Sequence, residues 1–451
     1  VFVSAAEGAE PAVLYVQPGQ TLTAAIADIY EPVCILLPPG ITEHTAPITR
    51  NATVIIRGAG EQLTTLRPAD GLGPDEGVAL IEQSDGYDGD LILADLTYDR
   101  AFHPGSTPDN AEVSTGATIF YVSAQNRVEF RNMTVEHFDF GTREGEANAG
   151  CPFVFAKTVR RSKSGGEYLW HTKDIIWHNV TVDFKKDGGI RHRPGGQHTA
   201  FFFGTVDQIR IDKDCRIYGH LCQSANPEYT VGPVWRNRGN CGPMYGIGLY
   251  VYERALIDGV WYECDYGAWR NGGVATENAV VEWRMDLLEA GYGDQFWHRP
   301  FGYGTPEKPV DGLAGHMIFK DVRLTSHKTD ALWHDYGLRC FGDWKSITVD
   351  GCIIRGRGHP LSMVRAKNQG QITIRNTSIA ARGPAVKIQA SQNIEGLTID
   401  GLNITDFPDP NQHGYPRAIR VEEGGAGGGL FTISNVRAVG YLEDLILDLT
   451  G

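Results

Sequence analysis

The feature that most constrains this 451-residue chain is a regular beat in its second half. The segments FKDVRLTS, ITVDGCIIRG, ITIRNTSIAA and LTIDGLNITD each read as a β-branched strand, a bend of the Asp-Gly or Arg-Asn kind, and a second short apolar strand. Val322, Gly351, Asn376 and Gly401 occupy equivalent places on this reading, the last three at intervals of 25 residues. Such an interval is too long for a hairpin and too short for a βαβ unit, which takes about 30 residues or more. No helical periodicity lies between the strands. Three short strands and three bends forming one closed coil, stacked on the next coil, satisfy the spacing. One coil cannot bury its inward side chains alone, so its neighbours must supply both pairing and core.

Earlier and later copies extend the beat. Bends are expected at Asp95, Asn132, Asn179, Lys213, Gly259 and Asn435. Small residues and Asn suit them because some bend positions require φ > 0. The wider intervals between Asp95 and Gly259 predict long loop insertions in the middle coils. Three stand out, at residues 140–168, 220–246 and 290–314.

The N-terminal run LYVQPGQTLTAAIADIYEPVCILLPPGI reads as a strand, a short helix with Leu22, Ile26 and Ile29 on one face, and a second strand. A stack of coils needs such a plug over its open apolar end. Together with Leu37-Pro38-Pro39-Gly40, Val54 to Gly60 and Thr64-Thr65-Leu66, this opening resembles that of the pectate-lyase-like superfamily. The motif covers about the first 70 residues and is specific for fold. The resemblance implies an all-β chain: a single-stranded right-handed parallel β-helix (solenoid) with an N-terminal capping helix and long central loop insertions. It would form one domain, with a cap over residues 1–50, coils over 51–440 and a C-terminal end over 441–451. Members of the superfamily include lyases, hydrolases, epimerases, tailspikes and adhesins, so fold leaves chemistry open.

Charge and hydropathy narrow the classes. The formal net charge of −14 argues against sequence-independent nucleic-acid binding, which needs a cationic surface. No apolar run approaches the length of a membrane-spanning helix, so no membrane partner is expected. The start of the chain lacks a basic, apolar leader and reads as a mature N-terminus. A secreted or extracellular location is the expectation.

A β-helix would bind an extended polymer along its side, between the long insertions. Titratable groups gather near them: Arg191, His192 and Arg193; Asp294, His298 and Arg299; Lys328, Asp330, His334, Asp335, Arg339 and Asp343. Trp297 and Trp333 are interleaved, as sugar-ring stacking requires. Two chemistries use such groups. In β-elimination on a polyuronate, a cation neutralises the substrate carboxylate and a base removes the acidified C5 proton. His334 and Arg339 lead for that role, with Arg191, His192, Arg193, Trp297, Arg299, Trp333 and Lys328 binding substrate. In glycoside hydrolysis two carboxyl groups flank the bond, and Asp330, Asp335 and Asp294 are the candidates, with His298 beside them. The lean is to a lyase on an acidic glycan, because these segments are richer in Arg, His and Lys than the acidic whole. A hydrolase, and a non-catalytic glycan-holding spike or adhesin compatible with a homotrimer, stay open.

The remaining signals are structural. Asp321, Asp350 and Asp400 at the repeated bends read as turn chemistry. His137 and His178 in repeat strands read as structural, and Phe201-Phe202-Phe203 as core. No metal motif occurs and no cofactor is required, although isolated carboxylates are compatible with Ca²⁺. Cys34, Cys215, Cys340 and Cys352 read as buried thiols, and Cys222 with Cys241 as a plausible disulfide around one insertion. The N-x-S/T triplets at Asn51, Asn132, Asn179, Asn376 and Asn403 mostly coincide with bends, so bend geometry accounts for them.

Overall fold

The computed structural model describes residues 10–26, 31–46, 48, 52–69, 81–82, 89–99, 120–122, 126–136, 153–155, 172–183, 197–198, 201–203, 205–218, 240–241, 249–258, 261–264, 269–274, 280–284, 287–290, 296–298, 314–326, 336–356, 359–381, 384–406, 418–423 and 429–439. For several of these, among them 120–122, 249–255 and 296–298, the backbone alone is described. The described chain is all-β apart from one five-residue helix, and its strand pairings are parallel. It divides into two compact units, residues 1–243 and 244–451.

In the second unit a strand pairs with its third successor. Val280–Arg284 pairs with Ala314–Lys320, which pairs with Trp344–Asp350. Leu287–Ala290 pairs with Arg323–Ser326, which pairs with Ile353–Gly356. Phe296–His298 pairs with Tyr336–Phe341. The long strands His359–Ala381 and Val386–Asp406 pass through two bends each and join all three ladders. Their register is offset by 25 residues, as Ile372↔Leu397 and Ile379↔Ile404 show. A chain can pair in parallel with its own third successor only by returning to the same side after each set of three strands.

Alternation fixes the core. In Trp344–Asp350, Ile347 and Val349 are buried while Ser346, Thr348 and Asp350 reach the surface. One repeat on, Ile372 and Ile374 take the buried places, then Leu397 and Ile399. A period of two on a parallel ladder gives one apolar and one polar side. Each such Val, Leu or Ile contributes about 1.5–3 kcal/mol by burial.

The bends carry left-handed backbone. Asp321, Gly351, Asn376, Gly401 and Asn435 all have positive φ, from 49° to 70°. The pairing Lys320↔Asp350↔Arg375↔Asp400↔Ser434 makes the following residues equivalent. The first member is therefore Asp321 and not Val322, which the sequence reading had aligned there. Val322 is fully buried one place further on. A β-branched residue at φ > 0 is strongly disfavoured, whereas Asp and Asn tolerate it. At Gly351 a Cβ would also stand 2.5 Å from Asp321 Oδ1.

The first unit repeats the scheme. Ala12–Tyr15, Val33–Leu36, Val54–Arg57, Asp90–Asp99, Arg127–Glu136 and Thr172–Asp183 pair in succession. Pairing thus begins well before residue 51, where the sequence reading started the coils. Gly40–His44 pairs with Thr64–Pro68, which pairs with the end of Asp90–Asp99. A separate ladder joins Ile81–Glu82, Phe120–Val122, Phe153–Phe155 and Phe201–Phe203. The helix Leu22–Ile26 buries Leu22 and Ile26, as its apolar face predicts; Ile29 lies outside the described residues. Asp95, Asn132 and Asn179 have φ of 49° to 59°, as expected of bends. Lys213 lies in a turn without positive φ, and Gly259 is outside the described residues. Phe130 and Trp177, fully buried, meet edge to face with centroids 5.9 Å apart.

Side chains stack along the bends. Asn132 Nδ2 donates to Asp95 Oδ1 at 2.9 Å, and Asn179 Nδ2 to Asn132 Oδ1 at 3.1 Å. In the second unit Asn376 donates to Asp350 at 3.1 Å and Asn435 to Asp400 at 2.7 Å. The Asn residues thus serve the turns, as the sequence reading proposed. Asn403 is different: it is an exposed strand residue in register with Ser378 and Arg437.

Candidate functional site

Trp297, His298 and Arg339 lie on one ladder of the second unit, in which Trp269–Val274 pairs with Phe296–His298 and that strand with Tyr336–Phe341. Its register runs Trp297↔Arg339↔Ser362↔Lys387↔Arg420. On either side run Leu338↔Leu361↔Val386↔Ile419 and Cys340↔Met363↔Ile388↔Val421, all of them buried. By strand alternation the Arg339 rank lies on the side of the sheet opposite the core. Trp297 and Arg339, far apart in sequence, are next neighbours on adjacent strands. His298 falls at a position in register with Cys340, in the core rank, so the register separates it from its two companions.

Ser362 is the unexpected member. It lies on the outer side of its strand, yet it is 0% exposed, and its Oγ has no hydrogen-bond partner. A buried hydroxyl without a partner is costly, by about 1–3 kcal/mol. Lys387, one strand on, is partly exposed and forms no ion pair among the described residues. Arg420 is exposed and pairs with Glu422 on its own strand. Three cationic positions thus share one rank with strands about 4.8 Å apart. Of these only Lys387 and Arg420 are directly opposed, where like charges repel, and Glu422 offsets part of that charge.

The first unit holds a different charged feature. Glu129 is 2% exposed on the outer side of Arg127–Glu136, between the guanidinium groups of Arg127 and Arg131, both hydrogen-bonded to it. The segment RVEFR announces this by its period of two, which sets all three on one side. Nearby, Arg57 pairs with Asp95 at 2.7 Å, and His178 Nδ1 meets Asp212 Oδ2 at 2.9 Å. Burial alone would raise the Asp212 carboxyl, but hydrogen bonds from His178 and Arg210 outweigh it and hold the pKa low.

Of the other candidates, Arg191, His192, Arg193, Asp294, Arg299, Lys328, Asp330, Trp333, His334 and Asp335 lie outside the described residues, as do Cys222 and the three insertions over most of their length. Asp343 accepts a hydrogen bond from the Asn368 backbone at 3.2 Å, a turn role. Asp350 is drawn below the carboxylate range: burial opposes this, but hydrogen bonds from Arg375 and Asn376 prevail. Asp400 is lowered by Ser434 and Asn435. His316, in contact with Ser346 Oγ at 2.7 Å, is held low by burial and by Lys345. Cys34, Cys215, Cys340 and Cys352 are free, buried thiols. Burial pushes the Cys215 and Cys352 thiols to about 12 and raises Cys340 as well. Among the described residues no group of three or more His, Cys, Asp and Glu side chains could hold a metal ion.

Sequence reasoning missed Ser362 and Lys387. Ser362 sits inside the apolar run LSMV, and nothing local separates it from filler. The chain matches no protein-family model, no curated protein and no solved structure.

Proposed function

We propose that this chain is a right-handed parallel β-helix that binds an extended acidic polysaccharide outside the cell and cleaves it by β-elimination. The observation that carries the reading is the single outer rank of Trp297, Arg339, Ser362, Lys387 and Arg420 on successive strands. Lys387 and Arg420 on adjacent strands, with Arg339 two strands before Lys387, suit a polymer that presents carboxylates along its length, and an aromatic position at one end suits a sugar face. Lys387 and Arg420 neutralise a substrate carboxylate, which acidifies the adjacent C5–H. Arg339, and His334 five residues before it, carry proton transfer. The pairing of strands in the second unit with their third successors supports the solenoid, since three strands per repeat suit one coil.

The test is a screen of uronate-containing and neutral polysaccharides with two readouts. Unsaturated products that absorb in the near ultraviolet are expected on a polyuronate. Lys387→Ala and Arg339→Ala should each abolish that absorbance with an unchanged unfolding midpoint. Reducing ends without absorbance would replace the lyase with a hydrolase acting through Asp330, Asp335 or Asp294. Binding without either signal would leave a glycan-holding spike. Full activity in both variants would remove the rank from the site. Chelation should leave activity intact if side-chain cations, rather than Ca²⁺, do the neutralising.

A further inference from the structure

One outer rank of the second unit breaks the repeat. It runs Val280↔His316↔Ser346↔Gln371↔Gly396↔Leu430 on successive strands. Met317, Phe319, Ile347 and Val349 are buried, so alternation puts His316 and Ser346 on the outer side, where both are partly exposed. The next outer rank shows what the coil asks for. It reads Ile318, Thr348, Thr373, Thr398 and Thr432, one residue type in four successive repeats. The bend residues recur in the same way. His316 and Ser346 recur nowhere in their own rank, so coil geometry does not account for the pair.

The two side chains are joined. His316 Nδ1 and Ser346 Oγ are 2.7 Å apart, a hydrogen bond between directly opposed positions on strands about 4.8 Å apart. With the ring hydrogen on Nε2, Nδ1 accepts from the serine hydroxyl. Burial first, and then the positive charge of Lys345, hold His316 below its usual value, so the imidazole is neutral at pH 7 and able to take a proton. On the other flank of Ser346, Gln371 reaches away. Its Oε1 lies over Gly396, where a Cβ would stand 2.3 Å from it. That side chain therefore extends toward the following strand rather than across the hydroxyl.

We propose that Ser346 and His316 form a nucleophile–base pair that hydrolyses carboxylic esters with a short acyl group, an activity separate from the β-elimination above. As Oγ bonds to the ester carbonyl carbon, its proton passes to His316 Nδ1. The carbon–alkoxy bond then breaks, and the imidazolium gives that proton to the departing alcohol. Water, deprotonated by His316 in turn, attacks the acyl-serine; the carboxylic acid leaves and Ser346 recovers its proton. Lys345, close enough to act on His316, favours the negative charge that develops on the carbonyl oxygen. An outer sheet face offers a floor rather than a tunnel, with Ile318 and Thr348 partly exposed in the next rank, which suits an acetyl-sized group.

The test treats the full chain with a fluorophosphonate, which reacts with an activated serine hydroxyl, and separately follows nitrophenol release from p-nitrophenyl acetate. Peptide mass mapping should place the label on Ser346. Ser346→Ala should abolish both signals, and His316→Ala should lower both about 100-fold or more. Both variants should keep the unfolding midpoint, since the two side chains are partly exposed. Label on another serine, or ester turnover that persists in Ser346→Ala, would overturn the proposal. Equal labelling of Ser346 with and without His316 would overturn the base role and the proposal with it. The labelling arm needs only the native chain, so it decides even where a variant fails to fold. A negative polyuronate screen leaves these outcomes untouched, because neither readout involves an unsaturated product.

Discussion

Asn376 is where backbone and side-chain contributions to the repeat can be separated. Its φ of 49° lies in the left-handed region, and its Nδ2 donates to Asp350 Oδ1 at 3.1 Å. Asn376→Ala removes the hydrogen bond and leaves a Cβ residue in a conformation that costs about 1–2 kcal/mol for an ordinary L-residue. A hydrogen bond to a charged group is worth about 1.5–3 kcal/mol. Here it is discounted to about 1 kcal/mol, because Asp350 is partly exposed and keeps Arg375 at 2.9 Å. The expected loss is about 2–3 kcal/mol. Asn376→Gly loses the same bond but accepts the backbone, as Gly351 and Gly401 do at the equivalent places. Its expected loss is about 1 kcal/mol. Urea unfolding followed by circular dichroism measures both. An alanine variant as stable as the glycine variant would refute the claim that left-handed geometry dictates these residues.

Acid should destabilise the protein in a defined window. Asp212, Asp350 and Asp400 have carboxyls held below their ordinary value of 3.8 in the folded state. Each therefore contributes stability that is present above the unfolded value and lost as pH falls through the folded one. Thermal midpoints should drop below about pH 4, and Asp350→Asn should flatten that drop. His316, held below 6.5, adds a weaker loss of the same sign as pH falls through the unfolded imidazole value. A midpoint unchanged between pH 6 and pH 3 would contradict both statements. Cys215, Cys340 and Cys352 should resist a thiol reagent in the native protein and react on unfolding, as read by peptide mass mapping, because the thiolate is the reactive form. Prompt native labelling of these three would show that their ladders open readily.

Much of the repeat was legible because its chemistry is local. Asp95, Asn132, Asn179, Asn376 and Gly401 advertise bends, since few residues accept positive φ. Buried and surface positions follow from alternation, as in Ser346 to Asp350. The slip at Val322 arose because the Asp-Val and Asp-Gly pairs look alike in one dimension. Only the register of Lys320 with Asp350 shows that Asp321 makes the turn. The free thiols were also legible, being single cysteines in or beside apolar strands.

The candidate site was legible only in part. Trp297 and Arg339 stood out as residue types, but their adjacency depends on the length of chain looped out between two strands, which no local rule fixes. The same register sends position 298 toward the core rank. Ser362 illustrates the limit. A serine between Leu361 and Met363 becomes significant only when neighbouring strands bury its hydroxyl and leave it without a partner.

By itself, then, the sequence determined a parallel β repeat, its bends and its buried sides, because these follow from backbone sterics and a two-residue period. Tertiary structure decided which outer positions share a rank. That choice is set by register between strands dozens of residues apart, and a shift of one residue would exchange every outer side chain for a core one.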